Sequence, residues 1–120
     1  MTPDPIALSA GINQNATLFR GEDKVISVDM AGYDLATATD LQWWMATSPY
    51  AIVALIEKDK ADGIAVSGAK LDITISKNET DIIPEIYYHE LRIVLADGTT
   101  KVAMTGNLVI RMSINPGVAP

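Results

Sequence analysis

His89 is the only histidine in the chain, and the chain has no cysteine. A histidine can serve as a general base or a metal ligand, but a base needs a positioned partner and a metal needs several ligands. No second His or Cys is present to join it, so His89 reads as a polar side chain satisfied within a strand pair. The acidic residues Asp34, Asp40, Asp59, Asp62, Asp72 and Asp81 lack the alternating-carboxylate loop with central glycine that calcium requires, and read as turn residues. Gly63 and Gly68 are too sparse for a phosphate loop, and no serine sits in a nucleophile-elbow context. The expectation is no catalytic residue, no cofactor and no metal. The residues with the strongest binding chemistry are Trp44, Tyr50 and Tyr88. Exposed aromatics of this kind mark contact surfaces for proteins or for sugar rings.

Strands must position those aromatics. Apolar residues alternate with polar ones between turn residues spaced roughly every 8 to 12 positions, the pattern of a β-sandwich. Ala16 to Arg20 is the first expected strand, with Leu18 inward. Lys24 to Met30 follows, with Ile26, Val28 and Met30 on one face, and Leu35 plugs the core from a polar loop. Asp40 to Thr47 puts Leu41, Trp43 and Met45 inward, which turns Trp44 outward. The apolar run Ala51 to Ile56 opens a fourth expected strand ending at Lys58, with a buried helical turn as the other reading of it. Ile64 to Val66 and Lys70 to Ser76 come next. Ser76 and Glu79 then have the spacing of a capping box.

Glu85 to Leu95, the turn Asp97-Gly98 and the return strand Thr100 to Ile110 form the strongest hairpin signal. Gly106 interrupts the apolar face of the return strand and predicts a bulge or the close approach of another backbone. Tyr87 stands two residues before His89, where immunoglobulin-like folds carry a tyrosine corner, and His89 falls where a cysteine might be. The expected architecture is an all-β, immunoglobulin-like antiparallel sandwich of seven to eight strands over residues 15–112. Residues 1–14 are expected as an N-terminal arm and 113–120 as a C-terminal tail.

The formal net charge of −6 argues against binding to phosphate backbones, and the nine basic residues are scattered. The first residues have neither the charge nor the apolar run of a signal peptide, and the longest apolar stretch is far short of a membrane span, so no membrane partner is expected. The absence of cysteine suits a reducing compartment.

The run Tyr87-Tyr88-His89-Glu90-Leu91-Arg92-Ile93 with Asp97-Gly98 and Gly106-Asn107-Leu108-Val109-Ile110 resembles small phage proteins related to the N-terminal domain of upper-baseplate proteins. Arg20-Gly21-Glu22-Asp23 and Asp34-Leu35-Ala36-Thr37-Ala38 look like two further elements of that pattern, so the resemblance spans residues 17 to 111. Trp43-Trp44 and the apolar run Ala51 to Ile56 depart from it. The resemblance implies a non-enzymatic structural protein of a bacteriophage particle, in tail, baseplate, neck or on the capsid surface, assembled in the host cytoplasm. Its expected partners are other virion proteins, with symmetric homo-oligomerisation. The alternative is a host-surface glycan-binding module of a phage tail.

Overall fold

The structure, a computed structural model, describes residues 5–112. Among these residues there are nine strands and no helix. They are β1 (Ile6–Ser9), β2 (Ala16–Phe19), β3 (Lys24–Asp29), β4 (Asp40–Ala46), β5 (Ile56–Asp59), β6 (Ile64–Ser67), β7 (Lys70–Ile75), β8 (Ile86–Val94) and β9 (Thr100–Arg111). One sheet has the order β1-β3-β7-β6 and the other β2-β9-β8-β4-β5. The first matches an ABED sheet and the second a GFC sheet extended by C′ at one edge and by β2 at the other, so the fold is an immunoglobulin-like sandwich.

Period-2 alternation fills the space between the sheets. Ile26 and Val28 of β3, with Leu71, Ile73 and Ile75 of β7, face Leu41, Trp43 and Met45 of β4 and Leu91 and Ile93 of β8. Trp43 lies at the centre with no exposed surface, and Leu35 closes the core from its loop as expected. The Tyr87 hydroxyl donates to the Ile83 carbonyl at 2.5 Å, which is the tyrosine corner read from the spacing.

Several details differ from the sequence reading. Two strand pairs are parallel, β1 with β3 and β2 with β9, so the sandwich is antiparallel in its interior and parallel at one margin. The expected arm contributes β1, whose Ile6 and Leu8 pack half-buried against the core. Four residues with two apolar positions are too few to produce a recognisable period. The fourth expected strand is displaced: β5 begins only at Ile56, opposite Met45, and residues 47–55 form the connection from β4. That connection lies past the end of the ladder, where no facing sheet can cover it. The tail at 113–120 lies outside the described residues.

The predicted turns carry their expected chemistry. Ser76 Oγ accepts from the Glu79 N–H at 3.3 Å, and Glu79 Oε1 accepts from the Ser76 N–H at 2.9 Å, a reciprocal capping box around one turn. The Asp97-Gly98 turn is a three-residue loop, with Leu95 N–H bonded to the Thr99 carbonyl at 2.8 Å. Only Gly98 takes a positive φ there, of 89°. The ladder shift of the β8–β9 hairpin falls between Leu91 and Arg92, where Ala103 is the extra residue, rather than at Gly106.

Candidate functional site

Because Trp43 and Tyr87 point inward, the alternation turns Trp44 and Tyr88 to the outer face of the five-stranded sheet. Trp44 of β4 sits opposite Glu90 of β8 on one side and Glu57 of β5 on the other, while Ala46 sits opposite Tyr88. Arg92 stacks on Trp44 with its guanidinium 4.6 Å from the ring centroid. Its Nε donates to Glu90 at 2.6 Å, and the Tyr88 hydroxyl donates to the other oxygen of Glu90 at 2.9 Å. Burial, and after it the bond to Glu90 and that carboxylate's charge, push the Tyr88 phenol up to about 12, against an opposing effect from Arg92. The outer face therefore carries a chain of four side chains, Trp44, Arg92, Glu90 and Tyr88, already fixed to one another.

These residues, with Ala46, Glu57 and the Ser48–Ala54 connection, line an open depression of about 190 Å³. That is smaller than the roughly 300–1,000 Å³ of sites that enclose drug-sized ligands. Beside it, the connection from β4 to β5 presents Tyr50, Ile52, Val53 and Leu55 to solvent, with Ile52 99% and Tyr50 91% exposed. No charged residue lies between Thr47 and Ile56. Of the three aromatic candidates, Trp44 and Tyr88 share the depression, and Tyr50 stands next to it on the loop. Sequence reasoning missed Arg92 and Glu90, although both follow from counting outward from Tyr88 in steps of two. It also missed Ile52 and Val53, because their run resembles a buried strand.

His89 is fully buried and faces inward. The Trp43 indole N–H donates to His89 Nδ1 at 3.1 Å, and His89 Nε2 lies 2.6 Å from the Gln14 carbonyl, to which it donates. The two partners fix the Nε2-protonated tautomer, and the rings meet edge to face with centroids 6.0 Å apart. Burial pushes the imidazole below the usual histidine value, opposed by the Gln14 bond. Both nitrogens are thus engaged inside the fold, as the reading of a satisfied strand histidine expects. Gly106 explains how the Gln14 carbonyl reaches the ring. A Cβ at Gly106 would stand 2.1 Å from the Gln14 oxygen, so this is the close backbone approach anticipated for that glycine.

Among the described residues no group of three or more His, Cys, Asp or Glu is arranged to hold a metal ion, and no helix is long and apolar enough to cross a membrane. No family model matches the chain, and no curated protein matches it. Among solved structures the chain is similar to murine CRIg, at 17% identity and a TM-score of 0.40, over 82% of this chain and 92% of that one.

Proposed function

We propose that this chain is a non-enzymatic structural protein of a bacteriophage particle that docks on other virion proteins through the outer face of β4 and β8 and the adjoining 49–55 loop. The observation that carries the docking surface is the exposure of Tyr50, Ile52, Val53 and Leu55 beside a prearranged Trp44–Arg92–Glu90–Tyr88 cluster. Large apolar side chains held in water on one loop are costly unless a partner covers them. Aromatic and arginine side chains are the residue types that anchor protein interfaces. The particle itself is supported by the resemblance of Tyr87 to Ile93, Asp97-Gly98 and Gly106 to Ile110 to the phage proteins named above.

Particles purified from the genome that encodes this chain should contain it in fixed stoichiometry by quantitative mass spectrometry. The Ile52→Ser, Val53→Ser double variant should still fold and should fall to a small fraction of that occupancy. Particles that lack the wild-type chain would rule the reading out.

A host-glycan module is the second reading, favoured by Trp44 and Tyr88 lying beside the planar polar groups of Glu57, Glu90 and Arg92 in one depression. Against it, the Arg92 guanidinium already occupies one face of the indole that a sugar ring would use. Binding of the chain to host polysaccharide that disappears in Trp44→Ala would favour this second reading over the first.

A further inference from the structure

The connection between β4 and β5 is held in shape although its side chains lie in water. The Ala51 N–H donates to the Ser48 carbonyl at 3.2 Å and the Tyr50 N–H to the Ser48 hydroxyl at 3.3 Å. The Leu55 N–H donates to the Met45 carbonyl at 2.7 Å, where the β4–β5 ladder resumes. These bonds fix both ends of the segment, and Ile52 stands out from it as a knob. Ile52 also borders the depression of about 190 Å³, whose walls include Trp44, Ala46, Ala54 and Tyr88. A space of that volume suits one side chain rather than a whole ligand. A projecting apolar side chain and a recess of matching scale therefore lie next to each other on one surface.

The apolar surface continues beyond the loop. Phe19 ends β2, Ile86 begins β8, and β4 passes into the loop at this same end of the five-stranded sheet. The rung Thr17–Val109–Ile86 crosses β2, β9 and β8 there. Ile86 is one outward step from Tyr88, which lies opposite Ala46. At roughly 150–200 Å² for a fully exposed large side chain, the exposed parts of Phe19, Ile86, Tyr50, Ile52, Val53 and Leu55 come to about 600–800 Å², against the roughly 800 Å² that each partner of a stable pair buries. Charge favours the same end. A formal net charge of −6 sets two copies against each other over most of their surface. The outward positions here balance, with Glu57 and Glu90 set against Arg92 and Arg111.

We propose that the outer face of β4 and β8 is covered by a second copy of this chain, in a two-fold pair in which Ile52 of each copy seats in the Trp44–Tyr88 depression of the other. The second copy is the occupant because the surface is its own complement. A two-fold axis lying in the plane of contact, between Ile52 and the depression, brings each knob onto the other copy's recess. One surface then makes the same contact twice, which is the condition for a closed isologous pair. A partner of different sequence has to supply a knob of its own and leaves Ile52 to be covered elsewhere. The inference rests on the docking surface proposed above and names its partner, and it does not depend on the particle.

Sedimentation velocity of the full-length chain, run as a concentration series through the micromolar range, should pass from monomer to dimer. Ile52→Ser removes the knob and leaves the recess. It should raise the dimer dissociation constant at least about tenfold, since two anchor side chains leave one interface. Ala54→Phe fills the recess from its own wall and leaves the knob, and should weaken the dimer to a similar extent. Ala51→Phe, at a more exposed position on that wall, takes its place if circular dichroism shows that Ala54→Phe does not fold. The decisive sample is a mixture of Ile52→Ser with a differently tagged recess-filled variant. It should form a mixed dimer more tightly than either chain pairs with itself, because one knob then meets one open recess. A wild-type chain that stays monomeric throughout the series overturns the pair, and its presence in purified particles would leave the particle reading standing. A dimer that Ile52→Ser leaves intact overturns this face as its interface. A mixture that gains nothing over its components overturns the reciprocal seating.

Discussion

Tyr87 and His89 sit two positions apart on β8, both inward, and each ties the strand to a backbone carbonyl from another part of the chain, Ile83 and Gln14. In an immunoglobulin-like domain with a disulfide, the second of these positions holds a cysteine beside the core tryptophan. Here a hydrogen bond from Trp43 to His89 stands in that place. Removing one hydroxyl tests how much the tyrosine corner contributes. Tyr87→Phe keeps the ring in the core but leaves the Ile83 carbonyl without its donor, which should cost about 1–3 kcal/mol. Urea unfolding should show a lower midpoint with an unchanged slope, and an unshifted midpoint would mean the corner is ornamental. The position of Tyr87 was legible because its spacing to the next inward residue is fixed by the strand period. The partner of His89 was not. Gln14 contributes a main-chain carbonyl from 75 residues away, and a backbone atom leaves no mark in residue type.

At the scale of elements, the interior strands and the margin strands β2 and β6 were read close to their observed bounds, whereas β1 and β5, the other two margin strands, were not. β3, β4, β7 and β8 alternate because one face meets the opposite sheet, whereas the extra residue Ala103 and the gap at Gly106 interrupt the alternation of β9. The most apolar run, Ala51 to Ile56, was misplaced for a physical reason. Hydropathy reports what a side chain prefers, and whether a surface exists to satisfy that preference depends on where the β4–β5 ladder ends. β1 was missed for the opposite reason, since its partner surface exists but its signal is only Ile6 and Leu8. Within the site, the alternation that located Trp44 and Tyr88 also implied Arg92 and Glu90, whereas the cluster they form depends on side-chain geometry. The loop reading has a thermodynamic consequence. Ile52 and Val53 are 99% and 72% exposed, so the Ile52→Ser, Val53→Ser variant should keep its stability within about 0.5 kcal/mol per site. Trp43→Ala should lose about 3–5 kcal/mol or fail to fold. Thermal and urea melts distinguish the two, and a large loss in the loop variant would mean the run packs against the domain.

At the scale of the whole molecule, the described chain passes between the two sheets five times, at the β1–β2, β2–β3, β3–β4, β5–β6 and β7–β8 connections. Packing holds the sheets together, and long-range bonds tie the segments between them, among them Lys58 to Glu79 at 2.8 Å, Arg20 to Asp81 at 2.8 Å and Thr80 to the Glu22 carbonyl at 2.8 Å. Burial pushes the Glu79 carboxyl up, but the Lys58 ammonium and the hydrogen bonds from Ser76 outweigh it and hold the group below the usual carboxylate range.

The parallel margin also decides how the domain answers a mechanical load. Ile6 and Arg111 lie toward the same end of the sandwich, since Ile6 pairs near the start of β3 and Arg111 pairs with Phe19 just before it. Tension between the chain ends would first peel β1 one rung at a time, transferring the grip to Gly11, which bridges Met104 of β9 at the far end. The segment from Gly11 to Phe19 and β9 would then be drawn along their lengths in opposite directions, and the pairings from Gly11–Met104 to Phe19–Arg111 would bear the strain together. Optical-tweezer traces should show a small yield at low force followed by one abrupt rupture, governed by the unfolding rate rather than by equilibrium stability. A subunit built this way gives a little and then holds.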